Sequence, residues 1–149
     1  MIIETSRFGS LEVDDERLLD FEEGILGFPH QHRYALIQTG EDSVFYWLQS
    51  VDRPELAFVV CDPRMFVPDY QVPVKRDEIT RIGIRNPAAA QVFVIANKVD
   101  GMLTGNLQGP LVINVENRKA RQLVLSEKKY GTRHPLVRVD QPVAMERTA

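Results

Sequence analysis

Short segments rich in β-branched and aromatic residues alternate along this chain with turns built on nine prolines and nine glycines. That punctuation leaves few windows for a long helix. The pattern predicts strands over residues 2–5, 10–13, 18–21, 34–38, 44–49, 56–61, 79–84, 92–98, 111–115 and 121–126. Strand starts recur about every ten residues, the spacing of a sandwich or barrel.

Alternation adds the faces. Leu111, Ile113 and Val115 fall on one side of a strand, with Asn114 and Glu116 on the other. Leu123 and Leu125 oppose Gln122 and Ser126 in the same way. Residues 44–48 and 56–61 are apolar on both faces, so they are expected to run through the middle of the structure. Closure into a barrel would bury them and remove exposed edges. In Asp62-Pro63-Arg64-Met65-Phe66 a capping Asp precedes a Pro suited to the first helical position, and Pro68 limits the helix to one turn. Asn86-Pro87-Ala88-Ala89-Ala90-Gln91 repeats that logic. Residues 76–81 carry helical propensity, opposed by Gly83 and the β-branched residues around it. The expected fold is all-β: a single-domain antiparallel pseudo-barrel of about ten short strands with one or two single-turn helices. Residues 1–136 form the domain, and 137–149 are expected to be a loosely ordered tail.

Composition narrows the class. A chain of 149 residues with 44% hydrophobic and 26% charged residues suits one globular domain. The longest apolar run, residues 56–61, is too short to span a bilayer. The start, Met1-Ile2-Ile3-Glu4-Thr5, lacks a signal-peptide pattern, and a single cysteine suits a reducing compartment. A cytoplasmic protein without membrane contact is the expectation. The net charge of −3 is uneven: residues 1–30 hold eight acidic and two basic side chains, whereas 116–149 hold eight basic and four acidic. Lys119, Arg121, Lys128 and Lys129 are spaced as strand-face and turn residues, so a solvated face outweighs nucleic-acid binding.

The candidate chemistry is sparse. Asn97-Lys98-Val99-Asp100 resembles a guanine-reading tetrapeptide, but no phosphate cradle accompanies it, and Gly101 makes it a strand end entering a turn. Gly105-Asn106-Leu107-Gln108-Gly109 spaces its glycines like a phosphate loop, yet Pro110 opens a strand where a helix would be needed. Cys61 ends an apolar segment and reads as a buried hydrophobe. His30 and His32 have only His134 as a third histidine, and no Cys or carboxylate cluster completes a metal site. Asp14-Asp15-Glu16 and Glu22-Glu23 pair with no nucleophile or base, which suits a docking face or a solvated one. No catalytic role, metal or cofactor is expected. Phe66 and Tyr70, and likewise Tyr130 and His134, are either core plugs or partner anchors.

Taken in order, several segments resemble the flagellar assembly factor FliW family. They are Phe8-Gly9, residues 21–28 (FEEGILGF), Trp47-Leu48-Gln49-Ser50, Leu56-Ala57-Phe58, and Asp62-Pro63 with Phe66-Val67-Pro68-Asp69-Tyr70. Residues 104–114 (TGNLQGPLVIN), Arg121-Gln122-Leu123-Val124-Leu125 and residues 130–136 follow, so the resemblance covers about residues 3–136. Leu26 stands where that family usually has proline, Pro29-His30 where an acidic residue is common, and Gly105 where alanine is frequent. These departures sit in turns and bear on loop shape and partner affinity.

The resemblance implies a non-enzymatic regulator with a β-pseudobarrel. It would bind the translational repressor CsrA, lifting repression of flagellin mRNA, and would also bind cytoplasmic flagellin, which releases CsrA. Rigid displacement by mass action suffices for such a switch. Phe66, Asp69, Tyr70, Asn106, Gln108, Tyr130, Arg133 and His134 are the residues expected to face partners. An acidic N-terminal surface suits a basic RNA-binding partner. The competing expectation is a small β-barrel that binds nucleic acid directly through its basic C-terminal third.

Overall fold

Seven strands close into a ring in the computed structural model, which describes residues 1–41, 43–73, 75–126 and 129–138. Among the described residues there are eleven strands: β1 (Ile2–Thr5), β2 (Gly9–Glu12), β3 (Leu18–Phe21), β4 (Arg33–Gln38), β5 (Phe45–Ser50), β6 (Ala57–Cys61), β7 (Ala90–Val99), β8 (Met102–Gly105), β9 (Leu111–Asn114), β10 (Lys119–Gln122) and β11 (His134–Arg138). The ring runs β7-β6-β5-β4-β3-β10-β9 and returns to β7. Strands that alternate in direction cannot close a ring of seven, since the number is odd. The mismatch falls at β3 and β10, which pair in parallel through Asp20 and Lys119. The expected antiparallel barrel thus holds except at this seam.

The ten-residue β7 makes closure possible. Its first half, Ala90–Phe93, pairs with β9, and Ala96–Val99 pairs with β8, which carries β11 outward. Alternate residues of every ring strand point inward: Leu19 and Phe21, Tyr34 and Leu36, Tyr46 and Leu48, Phe58 and Val60, Phe93 and Ile95, Leu111 and Ile113, and Ala120. Between β3 and β4 the chain folds across one end of the barrel and inserts Ile25 and Phe28 into this core.

Three coverings explain the segments that are apolar on both faces. The β1–β2 hairpin lays Ile3, Leu11 and Val13 over Ala35 and Ile37. Trp47, also on that outer side, meets Phe8 edge-on and carries the Arg7 guanidinium 4.0 Å above its ring. Cys61 and Val94 lie under Tyr70, Phe66 and Leu136. Helix α1 (Arg76–Arg81) and its exit place Ile79, Ile82 and Ile84 against Val112, Leu123 and Leu125.

Some expectations change in detail. The strand placed at 79–84 does not form. Asp77 and Glu78 occupy the first turn of α1, favourable at a helix N-terminus, and Ile79 and Ile82, three apart, share the face turned to the barrel. Asn114 does point away from Ile113 but is 1% exposed, because its amide donates to Ile82 O under the helix at 2.9 Å. Val115 is 55% exposed, beyond the end of β9. Both proline-led turns form: Pro63–Met65 is capped by Asp62 Oδ1 accepting from Arg64 N, and Pro87–Ala89 by Asn86 Oδ1 accepting from Ala88 N. β8 and β11 fall outside the expected strands, and the strand expected over 121–126 stops at Gln122. β11 ends at Arg138, two residues past the boundary drawn for the domain, and the tail from 139 onward lies outside the described residues.

Candidate functional site

The eight residues expected to face partners come from three neighbouring segments, and residues 105–110 tie these together. Asn106 N donates to Ile95 O at 2.9 Å, fixing the segment to β7. Leu107 is fully buried. Its amide reaches Gly131 O at 3.1 Å, and its carbonyl accepts from Tyr70 Oη at 2.5 Å. Gln108 holds the far side, with Nε2 donating to Leu125 O and its carbonyl accepting from Leu125 N. Gly109 N donates to Asn106 Oδ1, while Gly109 O accepts from Gln122 Nε2. A Cβ on Gly109 would stand 2.8 Å from Asn106 Nδ2 and 3.0 Å from Gln122 Nε2, so both amide side chains would have to give way.

The same network reaches the end of the barrel covered between β3 and β4. Gln122 Oε1 accepts from Leu26 N at 2.7 Å. Leu26 sits at the tip of a turn closed by the Ile25–Phe28 bridge, with Gly24 and Gly27 at positive φ. Ile25 anchors the turn in the core while Leu26 is 75% exposed. The result is an apolar knob held rigidly in solvent. On one side of it lies a depression of about 490 Å³ with Ile95 at its base and Asn97, Asn106, Gln122, Thr132 and Arg133 around it. On the other lies a smaller one of about 260 Å³, bounded by Gly27, Pro29, Arg121 and the exposed Val124.

Arg133 forms no ion pair among the described residues and is the free charge of the larger depression. Arg121 is instead held by Glu23, which also pairs with Arg81 of α1 at 3.3 Å. Asp69 is exposed and shares a third depression, about 380 Å³, with Lys129 and Tyr130. Tyr130 stands edge-on to Tyr70 at 4.9 Å and to His134 at 6.2 Å, under the Lys129 ammonium. Phe66 is half-buried and stacks on Phe45 at 5.6 Å.

One expected partner residue is a structural one. Tyr70 is 1% exposed, and burial drives its phenol well above the ordinary tyrosine range, so it is a neutral plug donating to Leu107 O. Tyr70→Phe is expected to cost about 1–2 kcal/mol, because it strips the donor from a buried carbonyl. A urea titration would measure it, and an unchanged midpoint would disprove the role. The remaining seven keep some exposure. Cys61 is fully buried, with its thiol pushed up to about 12, first by burial and then by Asp62. That setting suppresses thiolate chemistry. Among the described residues no group of three or more His, Cys, Asp or Glu side chains is placed to hold a metal ion. No helix there is long and apolar enough to cross a membrane.

Sequence reasoning missed Leu26, Gln122 and Val124. The paired glycines around Leu26 signal a turn, but only the packing of Ile25 shows which of two adjacent apolar residues is left outside. At Gly105 the departure from alanine has a physical consequence, since a Cβ would stand 3.0 Å from Leu136 Cδ1 and 3.3 Å from Val94.

The FliW protein family model matches residues 2–136. Among similar proteins, the flagellar assembly factor FliW of Treponema denticola is 37% identical over 92% of this chain and 94% of its own length. That of Ruminiclostridium cellulolyticum is 36% identical over 90% and 93%, and that of Moorella thermoacetica 39% over 91% and 88%. A crystal structure of the flagellar assembly factor FliW superposes with a TM-score of 0.84 at 32% identity, covering 92% of this chain and 97% of that one. With the same barrel and agreement along nearly its whole length, the chain belongs to the FliW family of flagellar assembly factors.

Proposed function

We propose that this protein acts in the cytoplasm as a non-enzymatic partner switch. It binds a CsrA-type translational regulator, relieving repression of flagellin mRNA, and binds newly made flagellin, which releases the regulator. Family membership supports the general role. The observation that carries the surface assignment is the convergence of the Gly24–Phe28 turn, residues 105–110 and residues 130–134 on one end of the barrel. A preorganised apolar knob beside a free guanidinium binds without first ordering a loop, which lowers the cost of association. Arg133, Asn106, Tyr130 and His134 lie on this face, with Asp69 across the Tyr130 ring. Nothing in this arrangement needs a bistable element: two partners sharing one face exclude each other, and flagellin wins as its free concentration passes its dissociation constant.

Direct nucleic-acid binding is less favoured. Lys119, Arg121 and Lys129 do not form a stripe: Arg121 is committed to Glu23, Lys129 lies over Tyr130, and Lys119 is on the β3 seam. Lys128 lies outside the described residues.

Calorimetric titration with purified CsrA-type regulator and with flagellin tests the proposal. Both should bind, each should displace the other, and Leu26→Asp with Arg133→Glu should weaken at least one by tenfold or more, about 1.4 kcal/mol. Failure of either partner to bind the unmodified protein would refute the switch. Undiminished affinity in the double variant would refute the surface.

A further inference from the structure

We propose that the opposite end of the barrel is a second docking site, one that receives a large apolar side chain flanked by a carboxylate on a protein partner. The two ends are built differently. At the first, Ile25, Phe28 and Leu56 close the core from outside the strands. At the second, no described segment inserts an apolar side chain, and the inward-pointing residues at the strand ends line a depression of about 440 Å³. Leu19, Leu36, Phe93 and Ile113 form its apolar floor, and Val115 is exposed at the rim.

Polar groups converge on that floor without partners of their own. Tyr46 packs edge-on against Phe93 at 5.5 Å, and its hydroxyl makes no hydrogen bond among the described residues. Arg17 and Arg118 stand on the rim, exposed, and neither pairs with a carboxylate among the described residues. Glu16 is the single acidic lining residue among the described residues, against Arg17 and Arg118, and this described rim favours an acidic neighbour.

The openness of the depression decides the class of occupant. A free small molecule needs most of its surface buried, whereas a side chain on a larger partner needs only its tip covered. The mouth is wide, and no described segment covers it, which suits the second.

Nitrogen-15 shift mapping on the full chain tests this with two probes, acetyl-Glu-Phe-Leu-Glu-amide and acetyl-Lys-Phe-Leu-Lys-amide. The acidic peptide should perturb the amides of Gln91, Ile113, Val115 and Arg118, with at least tenfold tighter binding than the basic one. Arg17→Glu and Arg118→Glu should each abolish that preference, and Glu16→Gln should tighten the acidic probe; the spectra themselves report folding. Equal affinity of both peptides, shifts centred on Leu26 and Arg133, or no shifts at millimolar peptide would overturn the proposal. Stronger binding of decanoate than of the acidic peptide would overturn it too, by assigning the site to a free amphiphile.

Discussion

Gly24→Ala is expected to lower the unfolding free energy by about 3 kcal/mol or more, through left-handed backbone strain plus a backbone collision. Gly24 has φ of +72°, and a Cβ there would lie 2.6 Å from Phe28 O and 2.7 Å from Pro29 Cα. Those are main-chain atoms, so relief requires opening the turn, withdrawing Ile25 from the core and shifting Leu26 away from Gln122. For a chain of this size the melting temperature should fall by about 10 °C. Gly9→Ala is the control: φ is +71° but nothing lies within 4 Å of the added carbon, so only the conformational penalty of about 1 kcal/mol applies. Equal losses in the two variants would show that the collision does not matter. At permissive temperature Gly24→Ala should also weaken partner binding at the Leu26 face, which Gly9→Ala should leave intact.

The second large effect is expected at Gln49, 1% exposed near the end of β5, beside the turn into β6. Its Nε2 stands 3.1 to 3.4 Å from the carbonyl oxygens of Ser50, Arg53, Pro54 and Leu56. One amide thus fastens the turn beneath which Leu56 reaches the core. Gln49→Leu removes a shared donor and should cost about 1–2 kcal/mol, since Arg53 O, Pro54 O and Leu56 O keep backbone donors from Leu56 N, Ser6 N and Ser50 N. The loss is moderated because Gln49 Oε1 has no partner, so one unpaired acceptor disappears with it. Gln49→Glu should be worse above neutral pH, since a carboxylate would face four carbonyl oxygens. Its folded pKa would then be raised over the unfolded value of about 4.3. The sign follows: the variant keeps most of its stability below about pH 4 and loses it as pH rises, as the unfolded state gives up its proton first. Denaturant titrations of Gln49→Glu and the unmodified protein at pH 4 and pH 8 measure this. A gap between them that does not widen with pH would contradict the picture.

Strand positions and turn chemistry were legible because their causes are local. Asp62-Pro63 and Asn86-Pro87 each specify a capped single turn with atoms two residues apart. The inward-pointing residues follow from alternation, which held for Leu111 and Ile113, whereas Leu123 and Leu125 are buried outside the barrel, beyond the end of β10. The family motifs were equally legible, because they are runs of adjacent residues.

What escaped depends on contacts distant in sequence. Residues 79–84 read as a strand by composition, but β9 and β10 already close the barrel, and the surplus isoleucines cover its outside from a helix. Tyr70 looks like a partner anchor until Leu107 O, 37 positions away, claims its hydroxyl. Leu26 reads as a turn residue that departs from the family's usual proline until Gln122, 96 positions away, fixes it in solvent. The chain alone determined an all-β fold, its turns, its family and the three segments from which the candidate surface is drawn, since period and propensity act over a few residues. The tertiary structure alone decided where the ring closes in parallel, which aromatic is buried, and that its two ends differ, because an odd ring and bonds between remote segments exist only after the strands assemble.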